Sequence, residues 1–314
     1  MTVLLPWFAV LLGFIGLVWS ADRLVNGSAA IACNLGISKF IVGLTVVAFG
    51  TSTPEIIVSI SSSLKGSGDL AIGNALGSNL ANIGLVLGIT ALIAPLPIKS
   101  HTLKQEIPIM LLIIAIAGYF LYDWHLALWE GLILVLCVAP LIIWLAHSHK
   151  QHPEEVEDIE SMKTSTATVW FLLGLCCLII SAESLVWGAT TVALSLGISN
   201  LVVGLTIVAI GTSLPELATS IMSAIKGHHD IAIGNIIGSN MFNILLVAGI
   251  PAIIQPLTMT AEVFFRDFLS MLGLSIVLTI SMVLSFYFSK NQHIGRLTGV
   301  LLLLLYAGYY TLVF

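Results

Sequence analysis

Two glutamates, Glu55 and Glu216, close two near-copies of one motif, GLTVVAFGTSTPE at 43–55 and GLTIVAIGTSLPE at 204–216, identical at ten of thirteen positions. Both lie inside apolar runs long enough to cross a bilayer. An ionised carboxylate at that depth costs several kcal/mol, so its default reading is functional. Beside them stand the hydroxyls of Thr51, Ser52, Thr212 and Ser213 and the prolines Pro54 and Pro215. Proline cannot donate the helical hydrogen bond and clashes with the preceding turn, so freed carbonyls are expected near Ala48, Thr51, Ala209 and Thr212. Hydroxyl, carbonyl and carboxylate oxygens are the hard ligands that cations such as Ca²⁺ and Na⁺ take, and irregular backbone survives at membrane depth where it lines a cavity. No Lys or Arg occurs in either motif. Two carboxylates among neutral oxygens suit one divalent cation or a set of monovalent ones.

A second repeated block, AIGNALGSN at 71–79 and AIGNIIGSN at 232–240, agrees at seven of nine positions and is followed by Asn82 and Asn243. Ser78 with Asn82, and Ser239 with Asn243, are four apart, so each pair shares a helix face and can complete a shell around cations held by the glutamates. Gly73, Gly77, Gly234 and Gly238 form a small-xxx-small seam suited to helix contact. Ser59 and Ser220, one turn beyond the glutamates, are further candidates.

The elements that must position these groups are membrane helices. Of 314 residues, 58% are hydrophobic and 9% charged, and the mean hydropathy is +1.08. A soluble domain carries about 25% charged residues. At about 20 residues per crossing the chain holds roughly ten helices. With 11 basic against 16 acidic residues, net −5, it lacks the basic surface of a nucleic-acid binder. Cys33, Cys137, Cys176 and Cys177 lie in apolar runs without a disulfide or metal spacing. Apolar runs mark spans near 3–33, 39–63, 69–94, 105–121, 125–146, 165–195, 200–224, 230–254, 262–288 and 293–314. The fold class is all-α: about ten transmembrane helices with broken helices at the core. The first run reads as a retained helix, not a cleaved leader.

Both blocks keep an offset of 161, as do LGIS at 35–38 and 196–199, Asp22 with Glu183, Lys65 with Lys226, Asp69 with Asp230, Pro95 with Pro256, and Glu106 with Asp267. One half-protein is therefore duplicated: 1–146, a polar acidic and His-bearing linker at 147–164, and 165–314. Five spans separate each residue from its counterpart, and five is odd, so the halves are inverted. Inverted repeats with interrupted helices and a midplane site are the mark of secondary transporters. With the N-terminus outside, eight basic residues fall on the cytoplasmic side and Lys65 and Arg266 outside. Both termini are therefore expected outside, with the linker cytoplasmic.

At GTSxPE and GNxxGSN the sequence resembles the calcium/cation antiporter superfamily, in its bacterial sodium/calcium exchanger-like branch, over the whole chain. The resemblance implies ten helices in two inverted halves around a four-site ion cluster. It implies that Glu55 and Glu216 bind Ca²⁺ and Na⁺ with Thr51 and Thr212 backbone oxygens. Ser52, Ser213, Ser78 and Ser239 with the carbonyls of Ala48 and Ala209 would form sodium sites, and Asn82 and Asn243 the middle site. Some members carry an aspartate at one middle position, whereas both are Asn here, leaving two formal charges instead of three.

The expectation is a Ca²⁺/Na⁺ antiporter of a bacterial cytoplasmic (inner) membrane, with no cofactor and no enzymatic activity. Its partners are Ca²⁺, Na⁺ and the lipid bilayer. Ca²⁺ and Na⁺ compete for one cluster, exposed alternately as the first pair of helices of each half slides or rocks. Proton coupling is the alternative, since a carboxylate in a dry site can exchange H⁺ for a metal. Remoter rivals are a passive cation channel and an intramembrane aspartyl protease, the latter from GxGD at Gly66–Asp69 and YD at Tyr122 and Asp123. His147, His149 and His152 beside the acidic run 154–160 read as a solvated loop, with a regulatory metal site the alternative. Asp69 and Asp230 read as helix caps. Asp22 and Glu183 read as structural partners of cations such as Arg23.

Overall fold

A computed structural model describes residues 4–150, 162–198, 203, 207, 209–289 and 291–313. Among them eight helices are long and apolar enough to cross a membrane: α1 (Leu5–Leu35), α4 (Gly68–Ile93), α5 (Thr102–Asp123), α6 (Leu128–Ser148), α7 (Thr164–Ser195), α10 (His229–Ile254), α11 (Val263–Phe288) and α12 (Arg296–Val313). A ninth crossing is broken into α2 (Lys39–Thr51) and α3 (Thr53–Leu64), bent by 41°. The span expected over 200–224 is described from α8 (Ala209–Thr212) and α9 (Leu214–Ile225). Most of 199–208 lies outside the described residues, as do 151–161 and hence His152 and the acidic run. The helical backbone also continues to Lys150, three residues past the expected start of the linker at 147. It persists because nothing between 146 and 150 breaks a helix.

Two helices lie deepest in the bundle. In their most apolar windows α10 is 89% and α4 72% buried, whereas α12 is 17% buried and α6 and α7 22%. The central pair carries the GNxxGSN blocks. The outer helices turn Trp7, Phe14, Trp129, Leu172, Trp187 and Leu304 outward, the apolar surface a bilayer requires.

The longest helices, α1 and α7, cross antiparallel on a glycine seam. A Cβ on Gly13 would lie 2.8 Å from the Leu185 amide, and one on Gly174 would lie 2.5 Å from that of Leu24. Likewise Gly27 faces Phe171 at 2.6 Å, and Gly188 faces Pro6 and Val10. Each contact maps onto another by the 161-residue offset: 13 to 174, 24 to 185, 27 to 188, 10 to 171. Two repeat-equivalent helices thus meet about a pseudo-twofold axis, with backbones closer than any larger residue allows.

The helix ends repeat too. Gly36 and Gly197 end α1 and α7 in left-handed conformation (φ +62° and +82°), and Ile37 and Ile198 reach back to the Ala32 and Ala193 carbonyls. This is the 6→1 bond of a Schellman stop, and it is what the LGIS echo encodes. Gly66 and Gly227 end α3 and α9 in the same way. Two-residue ribbons tie the halves together: β1 (Leu96–Pro97) with β4 (His293–Ile294), and β2 (His125–Leu126) with β3 (Leu257–Thr258). By chain tracing the first lies on the face that carries the linker and the second on the opposite face.

Candidate cation site

The break between α2 and α3 falls at Ser52 (φ −81°, ψ 3°), and that before α9 at Ser213 (φ −88°, ψ 6°). In each case proline sits in the first turn of the second helix, where its missing N–H costs least, and the glutamate follows one residue later. Pro54 leaves the Gly50 carbonyl without its helical amide. The Ala48 carbonyl, in contrast, accepts the Ser52 N–H at 3.0 Å and the Thr51 hydroxyl at 3.3 Å. This corrects the expectation that proline frees Ala48: the released carbonyl is the one four residues before the proline, and Ala48 lies six before it.

The two breaks meet. The Ser52 hydroxyl donates to Glu216 Oε1 at 3.2 Å, and Thr51 donates to Asn235 Oδ1 at 3.1 Å, each across the halves. Glu55 and Glu216 are 1% and 0% exposed. Among the described residues both Glu55 carboxylate oxygens and Glu216 Oε2 lack a hydrogen-bond partner, as do Ser213 Oγ, Ser239 Oγ and both amide atoms of Asn82 and Asn243. Ser78 is buried, Thr212 is partly buried, and Ala209 opens α8. A cluster of buried, unpartnered oxygens is costly unless something absent from the polypeptide satisfies it. Every donor there is oxygen, from carboxylate, hydroxyl and amide, with no His or Cys. Such a set fits Ca²⁺ and other hard cations rather than soft metals.

Other buried carboxylates give the contrast. Glu106 is paired with His101 at 3.3 Å, and Asp267 takes Arg266 at 2.7 Å and the Tyr309 hydroxyl at 2.9 Å. Among the described residues neither Glu55 nor Glu216 has a cationic partner. Among the described residues the other buried carboxylates are paired by the chain, whereas Glu55 has no partner for either oxygen and Glu216 has only the Ser52 hydroxyl.

Asn82 and Asn243 each open a π-helical stretch, Asn82–Leu87 and Asn243–Ala248. π-Turns cluster at functional sites because the widened ladder loosens backbone groups. The 3.6-residue spacing that pairs Ser78 with Asn82 gave no sign of this widening.

Sequence reasoning passed over Asn74 and Asn235. The Asn74 amide donates to the Glu55 carbonyl at 3.0 Å and to Ser59 Oγ at 2.9 Å. Asn235 reaches the Glu216 carbonyl at 3.5 Å and Ser220 Oγ at 3.1 Å. These asparagines clamp each glutamate-bearing turn onto the neighbouring central helix, and they engage Ser59 and Ser220 in that work. Their signal was the first Asn of GNxxGSN. Thr219 and Ser223, along α9 from Glu216, are also buried with unpartnered hydroxyls, a feature that looked like ordinary helix sequence.

Other expectations resolve differently. Asp230 makes an ion pair with Lys99 at 2.7 Å instead of capping its helix, and Asp69 lies in the first turn of α4 without making a side-chain cap. Gly66–Asp69 is a helix stop followed by a helix start, and Tyr122 and Asp123 lie in a terminal turn of α5, so neither protease motif falls mid-span.

A bundle of lipid-facing helices around buried carboxylates and neutral oxygens has the architecture of a membrane cation carrier. The family model for sodium/calcium exchanger protein matches residues 5–145 and 166–314, and the chain belongs to that family, whose members are transporters. It is 43% identical over 313 residues to the putative antiporter CaxA of Alkalimonas amylolytica, covering 97% of each chain. It is 30% identical over 347 residues to the sodium/calcium exchanger MaX1 of Methanosarcina acetivorans, again covering 97% of each. Solved structures of the sodium-calcium exchanger NCX_Mj superpose on it, one soaked with 100 mM Na⁺ and 10 mM Sr²⁺ giving a TM-score of 0.85 at 34% identity over 98% of both chains. The protein is thus a multi-pass membrane cation antiporter.

Proposed function

We propose that this antiporter exchanges Ca²⁺ for Na⁺ by alternating access at one site built around Glu55 and Glu216. The observation that carries the reading is the pair of buried carboxylates from opposite halves, without a cation from the chain, among unpartnered neutral oxygens. Two negative charges neutralise one Ca²⁺, and the same oxygens serve several Na⁺, so the ions compete. Thr51, Thr212, Ser52, Ser213, Ser78 and Ser239 supply further oxygens, with carbonyls at the breaks near Ala48 and Ala209, and Asn82 and Asn243 face the middle of the cluster. The working membrane in this reading is a bacterial cytoplasmic membrane, with both termini outside and 147–164 inside. Ten spans in two inverted halves of 1–146 and 165–314 account for the shared break, cap and seam geometry.

Carboxylates with no basic partner also favour a second reading. When metal leaves, protons can neutralise them, which is H⁺/Ca²⁺ exchange. Ca²⁺ flux in proteoliposomes under an imposed Na⁺ gradient, then under a pH gradient, separates the two. Flux driven by the Na⁺ gradient is expected. Flux driven only by the pH gradient transfers the site to H⁺ coupling, and flux with neither favours a channel.

A further inference from the structure

The α1/α7 pair is closely packed along its glycine seam, yet it does not sit symmetrically on the rest of the molecule. On the linker face, Leu17, Ala21 and Leu24 of α1 belong to a packed cluster that takes Leu214, Ala218 and Met222 of α9. The offset maps those three residues onto Thr53, Ile57 and Ser61 of α3. There the contact is missing: Ile57 is 58% exposed.

Charge follows the same asymmetry. Asp22 of α1 and Lys226, at the end of α9, form an ion pair at 2.6 Å. Asp22 also takes the Asn26 amide at 3.3 Å. The neighbouring Arg23 guanidinium stands 4.6 Å from the Trp170 ring and 5.8 Å from that of Trp19, which binds this corner of α1 to α7. The offset maps Asp22 onto Glu183 of α7 and Lys226 onto Lys65 at the end of α3. Glu183 and Lys65 are both exposed and form no ion pair with each other. One half has made the contact, and the other holds the same two charges unjoined.

We propose that Asp22–Lys226 and Glu183–Lys65 are alternative latches: the first holds the α1/α7 pair against α9, and the second closes against α3 when the pair shifts and the first opens. The inference rests on the carrier reading only in requiring two states. Its physical logic is degeneracy. Exchanging one carboxylate–ammonium pair for another of like chemistry leaves the electrostatic free energy of both states similar, so the cargo's differential affinity can set the population. Two fixed pairs in one state would trap the carrier.

The test uses full-length protein in membrane vesicles with Cys33, Cys137, Cys176 and Cys177 replaced by alanine. Cysteines are introduced as Asp22→Cys with Lys226→Cys, as Glu183→Cys with Lys65→Cys, and as all four together, and bridged with a bifunctional thiol reagent. Each bridge is expected to stop ⁴⁵Ca²⁺ exchange until reduced, and molecules carrying one bridge are expected not to acquire the other. Undiminished exchange with either pair bridged, or both bridges forming in the same molecules, overturns the proposal. Charge reversal guards against misfolding of the cysteine variants: Asp22→Lys with Lys226→Asp should recover exchange that either single change loses, and absence of recovery in well-expressed protein counts against the latch. Bridge exclusivity reads out without knowing which ion is carried, so its failure is distinguishable from failure of the Ca²⁺/Na⁺ assignment.

Discussion

Among the described residues Glu55 and Glu216 stand apart from the other buried carboxylates because neither has a cationic partner and three of their four oxygens accept no hydrogen bond. A unit charge about 4 Å from a cation in an effective dielectric near 20 contributes about 4 kcal/mol, roughly three factors of ten in affinity. Glu55→Gln or Glu216→Gln is therefore expected to abolish ⁴⁵Ca²⁺ uptake into Na⁺-loaded vesicles, and near-normal uptake in both would remove the site assignment. Asn243→Asp adds a third carboxylate, which attracts a divalent ion more than a monovalent one. More Na⁺ should then be needed to halve Ca²⁺ uptake, and an unchanged competition curve means that Asn243 faces away. Asn235→Ala removes the clamp on the Glu216 carbonyl and leaves the Thr51 hydroxyl only the Ala48 carbonyl of its own helix as acceptor. Ca²⁺ turnover should fall while the protein still reaches the membrane, as measured by flux normalised to surface amount. The glutamates, hydroxyls and asparagines proposed for the site stand out in the sequence by residue type and repetition. The clamping role of Asn74 and Asn235 was not, because it depends on which carbonyl lies beside each amide across a helix interface.

At the scale of elements, the interruptions of the spans matter as much as the spans. Pro54→Ala restores an N–H that can reach the Gly50 carbonyl, so α2 and α3 should straighten toward one helix. The expected outcome is a higher melting temperature in detergent with slower Ca²⁺ exchange, and equal exchange would separate the break from function. The seam is the converse case. Gly174→Val places side-chain atoms where the Leu24 amide already lies within 2.5 Å of a Cβ. Overpacking of this kind costs about 1–3 kcal/mol or more, read as a lowered melting temperature of the solubilised protein. Hydropathy located most helices to within a few residues. It could not register the π-turns at Asn82 and Asn243, because a widened turn leaves composition and periodicity almost unchanged.

For the whole molecule, the decisive measurement is which gradient drives Ca²⁺. A Na⁺ gradient alone is expected to suffice, and added Na⁺ on the Ca²⁺ side should inhibit competitively. The family and the multi-pass architecture were written in the chain, since the repeated motifs carry the family resemblance and apolar length fixes crossings, and the two glutamates proposed as the cation site mark themselves by the cost of burying them. Asp22 does stand 3.9 Å from the Arg23 guanidinium, as adjacency suggested, but its shorter ion pair is with Lys226, 204 positions away in sequence. The sequence by itself determined that two equivalent halves exist and what each carries. Only the tertiary structure decided which half holds its contacts closed, because identical motifs encode identical possibilities, and the choice between them lies in how α1 and α7 pack against α9 rather than α3.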